Sequence, residues 1–432
     1  MILAVWDIFV CKCHQSVESM RHRATMTHHP ILLRVAAILA AALSPAPSAA
    51  ASASTQAGSA LVLDKAVVLM RHGIRAPLDG EVPAATRTAQ PWPRWPVAES
   101  RLTDRGAQAM ALLGTFDRHR WSRLGLVPRT GCPAVRIHAN TAVRTIDSGA
   151  AFARGFAPGC AIAVSHRNAP DIDPLFEPLR AGATDFDAAT AVAAIERHTD
   201  GVDTLARRHA GAIRLLDRVM GCGAAVACTD WGPSRVTPSR DGRGIDLAGP
   251  IRATSGIAQV LLLQQAEGFP RAQVGWGRAD PATVRHLGAL HAALFDVFTR
   301  SPYMAAHQSA VLARHMLAAL ADRDGPALDL LVGHDTNVTA LAATLGVDLV
   351  APGYAANDVA PGGAIVIERL RDRLSGVRYV RLFYQAQPLA ALRRLSPQVT
   401  LAPLTMRGCP RLCPLSRFDR LLRARLAVPH DR

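Results

Sequence analysis

Lysine is almost missing from this chain of 432 residues: only Lys12 and Lys65 are present, so arginine carries nearly all the positive charge behind a formal net charge of +15. Aromatic residues make up only 5 %, and no dense basic run interleaves with them, which argues against a nucleic-acid surface. Internal repeats are absent, which argues against a solenoid or propeller. The cysteine spacings Cys-x3-Cys and Cys-x5-Cys fall in different segments without partnering histidines, which argues against a zinc site. With 49 % hydrophobic residues the chain is not disordered, and its length accommodates about two domains. The positive field attracts anionic substrates.

The N-terminal stretch has the three parts of a secretory signal: basic Arg21, Arg23 and Arg34, the apolar run Val35–Leu43, and small residues from Ser44 to Ala50. The apolar run is too short to anchor stably in a bilayer, although an uncleaved tether is the alternative. Cleavage is expected near Ala50, with a periplasmic or secreted product and no membrane association afterwards. Residues before Met20 or Met26, including Cys11 and Cys13, read as an upstream extension, so the start codon is Met1, Met20 or Met26. Six cysteines remain: Cys132, Cys160, Cys222, Cys228, Cys409 and Cys413. An even set in an exported chain points to disulfides, with 222/228 and 409/413 as natural local pairs.

Ala66-Val67-Val68-Leu69-Met70 reads as a strand buried on both faces of a parallel sheet, running into the loop Arg71-His72-Gly73-Ile74-Arg75-Ala76-Pro77. Ligands of open α/β sheets bind at such strand ends, and paired guanidiniums beside an imidazole suit a tetrahedral oxyanion. Pro91 to Pro96 is irregular, and Thr103 is an N-cap candidate for the helix that follows. Val135–His138 is a second strand, leading through Asn140 and Arg144 into a helix ending near Phe156. From Phe186 to Phe298, Ala, Leu and Arg at helical spacing mark a helical region inserted between sheet segments. Leu328–Val332 resumes the sheet and delivers Gly333-His334-Asp335-Thr336-Asn337 in its loop. Gly363–Glu368 and Val380–Tyr384 are further strands. The organisation expected is a leader over 1–50, α/β segments over 51–185 and 300–432, and a helical insert over 186–299.

Phosphoryl transfer asks for a nucleophile, cations around the phosphoryl oxygens and a proton for the leaving oxygen. His72 fits the first role, Arg71, Arg75, Arg144 and His334 the second, and Asp335 the third. A carboxylic acid of ordinary pKa, about 4, implies an acid optimum unless burial raises it. The competing reading of Asp335 is a helix cap acting with Thr336.

On these residues the chain resembles the histidine acid phosphatases, in the branch of bacterial periplasmic phytases and glucose-1-phosphatases. Arg71 to Pro77 matches the family's Arg-His-Gly-x-Arg-x-Pro, and His334-Asp335 its downstream His-Asp. Pro91 to Val97, Leu102 to Gly106, Arg144-Thr145, Leu262 to Ala266, Gly275 to Arg278 and Pro361 to Gly363 are similar to phytase segments in the same order. The resemblance implies a phosphoglycerate-mutase-like α/β domain with an inserted α-helical domain. It implies His72 as nucleophile, Arg71, Arg75, Arg144 and His334 as phosphate ligands, and Asp335 as proton donor. It further implies no metal or other cofactor, a monomer acting on a small phosphomonoester, and disulfides Cys132–Cys160, Cys222–Cys228 and Cys409–Cys413. The outer pocket departs from the phytase pattern. Leu78-Asp79 stand where Thr-Lys is usual, and Gln259 replaces a glutamate; these, with Thr336, are the expected outer-pocket residues. Phytate (inositol hexakisphosphate) is one expected substrate, and glucose 1-phosphate or a general sugar phosphate the alternative. A catalytically inactive phosphate-binding protein is the competing class, disfavoured because a binder needs no proton donor.

Overall fold

The computed structural model describes residues 61–222, 228 and 231–427; the expected leader, its alternative start residues and Cys11 and Cys13 lie outside the described residues. Strand β1 (Leu61–Arg71) is followed by helix α1 (Asp104–Arg123), β2 (Val135–Ala139), α2 (Val143–Phe156) and the short β3 (Val164–Ser165). Next come α3 (Ala188–Thr199), α4 (Val202–Arg208), α5 (Ala210–Met220), a hairpin of β4 (Arg235–Pro238) and β5 (Ile245–Ala248), α6 (Pro250–Glu267) and α7 (Pro281–Phe298). The chain then forms α8 (Pro302–Ala321), β6 (Leu328–Gly333), α9 (Asp335–Leu345), β7 (Ala364–Asp372) and β8 (Arg378–Ala386). It ends with α10 (Leu389–Arg394), β9 (Thr400–Leu404), β10 (Cys413–Pro414) and α11 (Leu415–Leu426).

The main sheet has the order β10-β8-β7-β1-β6-β2-β3, with β9 also paired to β8. β1, β6, β2 and β3 are mutually parallel, whereas β7 runs antiparallel to β1. The expectation of a parallel sheet around β1 is therefore corrected to a mixed sheet. The two arrangements bury a central strand alike, so an unbroken apolar run does not separate them.

Alternate residues of a strand face opposite sides, and β1 feeds two cores accordingly. Ala66, Val68 and Met70 pack with Met110 and Leu113 of α1 and Phe152 and Phe156 of α2. Val67 and Leu69 join the larger core containing Leu312 and Met316 of α8, Leu341 of α9, Leu261 and Leu262 of α6 and Leu287 of α7. Thr103 caps α1, its side chain accepting from the Gly106 N–H at 2.9 Å.

Among the described residues between β3 and β6, none gives a strand to the main sheet. The all-helical expectation for 186–298 misses the β4–β5 hairpin, whose turn carries Asp241-Gly242, a turn-forming pair. Disulfides join Cys132 to Cys160, Cys222 to Cys228 and Cys409 to Cys413, with Cα separations of 5.6, 5.4 and 5.3 Å. Among the described residues no helix is long and apolar enough to cross a membrane.

Candidate active site

Parallel pairing of β1 with β6 sets Arg71 opposite Gly333, so the two motif loops leave the sheet side by side. The His72 N–H donates to Gly333 O at 3.0 Å, and the Gly362 N–H to His72 O at 3.0 Å. Behind the first loop, Thr103 N–H donates to Ile74 O and Ala76 N–H to Arg101 O, both at 3.0 Å. Gly106 lets α1 back directly onto this loop, because a Cβ there would lie 2.2 Å from Ile74 O. The third contributor enters from β2: Asn140 N–H bonds Val332 O at 3.0 Å, and α2 then carries Arg144.

Six expected residues meet here: Arg71, His72, Arg75, Arg144, His334 and Asp335. The His72 ring lies 5.6 Å from the His334 ring, centroid to centroid. His72 Nδ1 is 2.8 Å from the Gly73 carbonyl. A carbonyl only accepts, so Nδ1 carries the proton and Nε2 keeps its lone pair. Burial, then the Arg71, Arg144 and Arg75 guanidiniums, hold His72 well below the ordinary histidine range. The ring is thus a neutral base at acid pH, and its tautomer is fixed by the loop's own backbone.

Arg71 is fully buried; its Nη1 donates to Val359 O and its Nη2 lies 3.0 Å from an Asp335 carboxylate oxygen. Arg75 is 3 % exposed. The Nε atoms of Arg71, Arg75 and Arg144 are buried without a partner. Unmet buried donors are costly, and an anion held between these guanidiniums would satisfy them.

His334 is the N-cap of α9, and Asn337 closes the turn by accepting from His334 N–H at 2.9 Å. Asn140 Oδ1 takes the Thr141 N–H at 2.8 Å, so its NH2 faces and donates to His334 Nε2 at 2.8 Å. Arg144 Nη2 sits 3.3 Å from the other ring nitrogen. Burial and then Arg144 push His334 down to about 3, correcting the expectation that it supplies positive charge. Burial, then Arg75, lower Arg144 only to about 10, leaving it cationic. Asp335 is the first helical residue of α9, not its cap. Burial works against its charge, but Arg71 above all, then His291, outweigh that and hold the carboxyl well below the usual range. The expectation of an ordinary or raised pKa is corrected on this point.

A cavity of about 300 Å3 opens beside Asp335, lined by Leu78, Asp79 and Thr336 among others. Gln259 does not line it; this residue is 1 % exposed on α6, with both amide atoms lacking partners. Three residues in or behind the cavity escaped sequence reasoning. Glu81 forms a two-bond ion pair with Arg75 at 2.7 and 2.8 Å. His291 on α7 has Nε2 4.0 Å from Asp335 and Nδ1 2.9 Å from Asp358. Glu81, six residues after Arg75, was within reach as a local counter-ion; no local signal pairs His291 with Asp358. Among the described residues no group of three or more His, Cys, Asp or Glu side chains could hold a metal.

The sequence pattern of the histidine phosphatase superfamily (branch 2) matches residues 62–198. Phytase AppA of Escherichia coli is 32 % identical over 410 residues, covering 86 % of this chain and 94 % of that protein. A glucose-1-phosphatase of Salmonella typhimurium is 28 % identical over 384 residues, covering 83 % and 92 %. The solved structure of Hafnia alvei phytase with tartrate superposes with a TM-score of 0.78 at 31 % identity, covering 86 % of this chain and all of that one. With the site geometry and near full-length relatives in agreement, the chain belongs to the histidine phosphatase superfamily, branch 2, as a histidine acid phosphatase.

Proposed function

We propose that the chain hydrolyses phosphomonoesters through a phosphohistidine on His72. The carrying observation is the imidazole whose Nδ1–H is spent on Gly73 O, leaving Nε2 free amid Arg71, Arg75 and Arg144. Nε2 attacks phosphorus in line with the ester oxygen, the P–O bond breaks, and Asp335 gives its proton to the departing alkoxide. Water then attacks the phosphohistidine, Asp335 takes a proton from it, and inorganic phosphate leaves. Arg71, Arg75, Arg144 and neutral His334 bind the phosphoryl oxygens, and the guanidiniums stabilise charge developing there.

Asp335 in the resting site is an ion paired with Arg71. A phosphoryl group that engages Arg71 competes for that cation and raises the carboxyl's proton affinity. The proton arrives with the ester's monoanion. This couples substrate binding to arming of the acid and favours acid pH.

Phytate hydrolysis is supported by the similarity to phytases, and glucose 1-phosphate hydrolysis by the similarity to glucose-1-phosphatases. Export to the periplasm or medium is supported by the three disulfides, which persist in oxidising compartments. The test is phosphate release at about pH 5, below the ester's second pKa of about 6, where the proton-carrying monoanion predominates. Phytate and glucose 1-phosphate are compared in chelator, with His72→Ala as the blank. Release from either ester that His72→Ala abolishes supports the reading, and silence on both refutes it.

A further inference from the structure

We infer that Glu81 and Asp79 restrict this site to esters whose alcohol carries no further negative charge, so that an inositol polyphosphate is a poor substrate. The inference rests on the phosphatase reading above and concerns the same site. Glu81 occupies the end of the Arg75 guanidinium with Oε2 on Nη1 at 2.7 Å and Oε1 on Nη2 at 2.8 Å. Its side chain is only 8 % exposed. Glu81 Oε2 also takes the Leu78 N–H at 2.8 Å, so the carboxylate is built into the turn that forms the rim. Gly256 of α6 presses on the same turn, where a Cβ would lie 1.8 Å from the Glu81 carbonyl oxygen.

With Nη1 also bonded to Ala76 O at 3.1 Å, the edge of Arg75 left for a ligand is the one bearing its partnerless Nε. Arg75 can therefore grip one phosphoryl group along that edge, while its positive charge is already balanced. Around the cavity two guanidiniums, Arg75 and Arg252, face three carboxylates, Asp79, Glu81 and Asp335. The lining also includes the apolar side chains of Leu78, Leu294 and Phe298. Arg71 and Arg144 serve the phosphoryl group being transferred; with Asp335 paired to Arg71 and Glu81 to Arg75, Arg252 and Asp79 are the remaining charges of the lining, and together they offer a second phosphoryl group no net attraction. Like charges brought together in a partly dehydrated cleft repel strongly, whereas an uncharged ring or sugar meets the apolar side chains without that penalty.

The experiment compares kcat/KM for phenyl phosphate, glucose 1-phosphate and inositol hexakisphosphate in the wild-type protein, Glu81→Gln and Asp79→Lys. The wild type is expected to favour both uncharged alcohols over the hexakisphosphate by at least about tenfold. Each variant should shift the ratio toward the hexakisphosphate by roughly tenfold, mainly through KM, since a charge is removed or reversed at contact range. A wild-type preference for the hexakisphosphate overturns the inference. So does an unchanged ratio in both variants, the result if the two residues only maintain the fold and lower kcat on all esters alike. No phosphate release from any ester by the wild type fails the phosphatase reading instead, and the inference with it.

Discussion

Replacing Asp335 by asparagine should separate esters by leaving group and tighten product binding in the same variant. The carboxylate sits 3.0 Å from Arg71 Nη2, and Arg71 is fully buried. At an effective dielectric of about 20, charges this close interact by roughly 5 kcal/mol before desolvation is subtracted. A fraction of that, about 1–2 kcal/mol, is what an entering phosphate must recover to take Arg71 from Asp335. Asparagine removes the competing charge while keeping the side chain's size. The inhibition constant for inorganic phosphate should therefore fall by about tenfold, since 1.4 kcal/mol is one decade. Turnover of a sugar phosphate should fall by about 10²–10⁴-fold, the usual worth of a general acid. An aryl ester with an acidic phenol should lose at least about tenfold less, because its leaving group departs without a proton. Steady-state kinetics with glucose 1-phosphate and 4-nitrophenyl phosphate, each with phosphate as inhibitor, measure all three quantities. Equal losses on both esters, or weaker phosphate inhibition, would refute this assignment of Asp335.

The pH dependence should follow the substrate. With Asp335 held ionised by Arg71 in the free protein, kcat/KM falls as pH rises through the ester's second pKa, about 6, where the monoanion is lost. A depressed His72 predicts no loss on the acid side until well below the ordinary histidine range; a rate that needs deprotonation near pH 6.5 would contradict it. Stability should respond to Asp117 of α1, buried against Gln385 of β8 and raised to about 7 mainly by burial. Between about pH 4 and 7 the folded state keeps a proton that the unfolded state has lost, so stability declines as pH rises through that window. Asp117→Asn, which still accepts from Gln385, should gain on the order of 2–4 kcal/mol at pH 8 and little at pH 4; equal melting-temperature shifts at both pH values would rule this out. Gly106→Ala places a methyl 2.2 Å from Ile74 O and should cost about 1–3 kcal/mol as overpacking does. It should also reduce kcat by displacing the loop that holds His72, and an active variant of unchanged stability would disprove the backing role.

The clustering of these residues was legible because each half is a short apolar strand followed at once by charged residues, and such a strand leaves few places for its loop to go. Arg71, His72 and Arg75 were readable from β1, and His334 and Asp335 from β6; the pairing of the two strands then brought them together. Thr103 as a cap and Phe156 as a helix end followed from local chemistry in the same way. Charge states were not readable. His334 looked cationic and Asp335 an ordinary acid because neither burial nor Arg71 is visible in the residue string. The direction of β7 was hidden because a strand buried on both faces has the same composition in either orientation. Glu81 was passed over because a carboxylate near a turn usually faces water. Gln259 was expected at the pocket by resemblance, yet α6 is buried nearly all round and this residue lies outside the cavity lining.

The central claim is covalent: phosphorus passes through His72 Nε2. The most direct measurement is rapid mixing with a radiolabelled aryl phosphate at acid pH, an alkaline quench that preserves phosphoramidates, and mapping of the labelled peptide. Label should appear on His72 within the first turnover, decay at the rate of phosphate release, and be absent from His72→Ala. Steady turnover with no label on His72, or label on any other residue, would contradict the account.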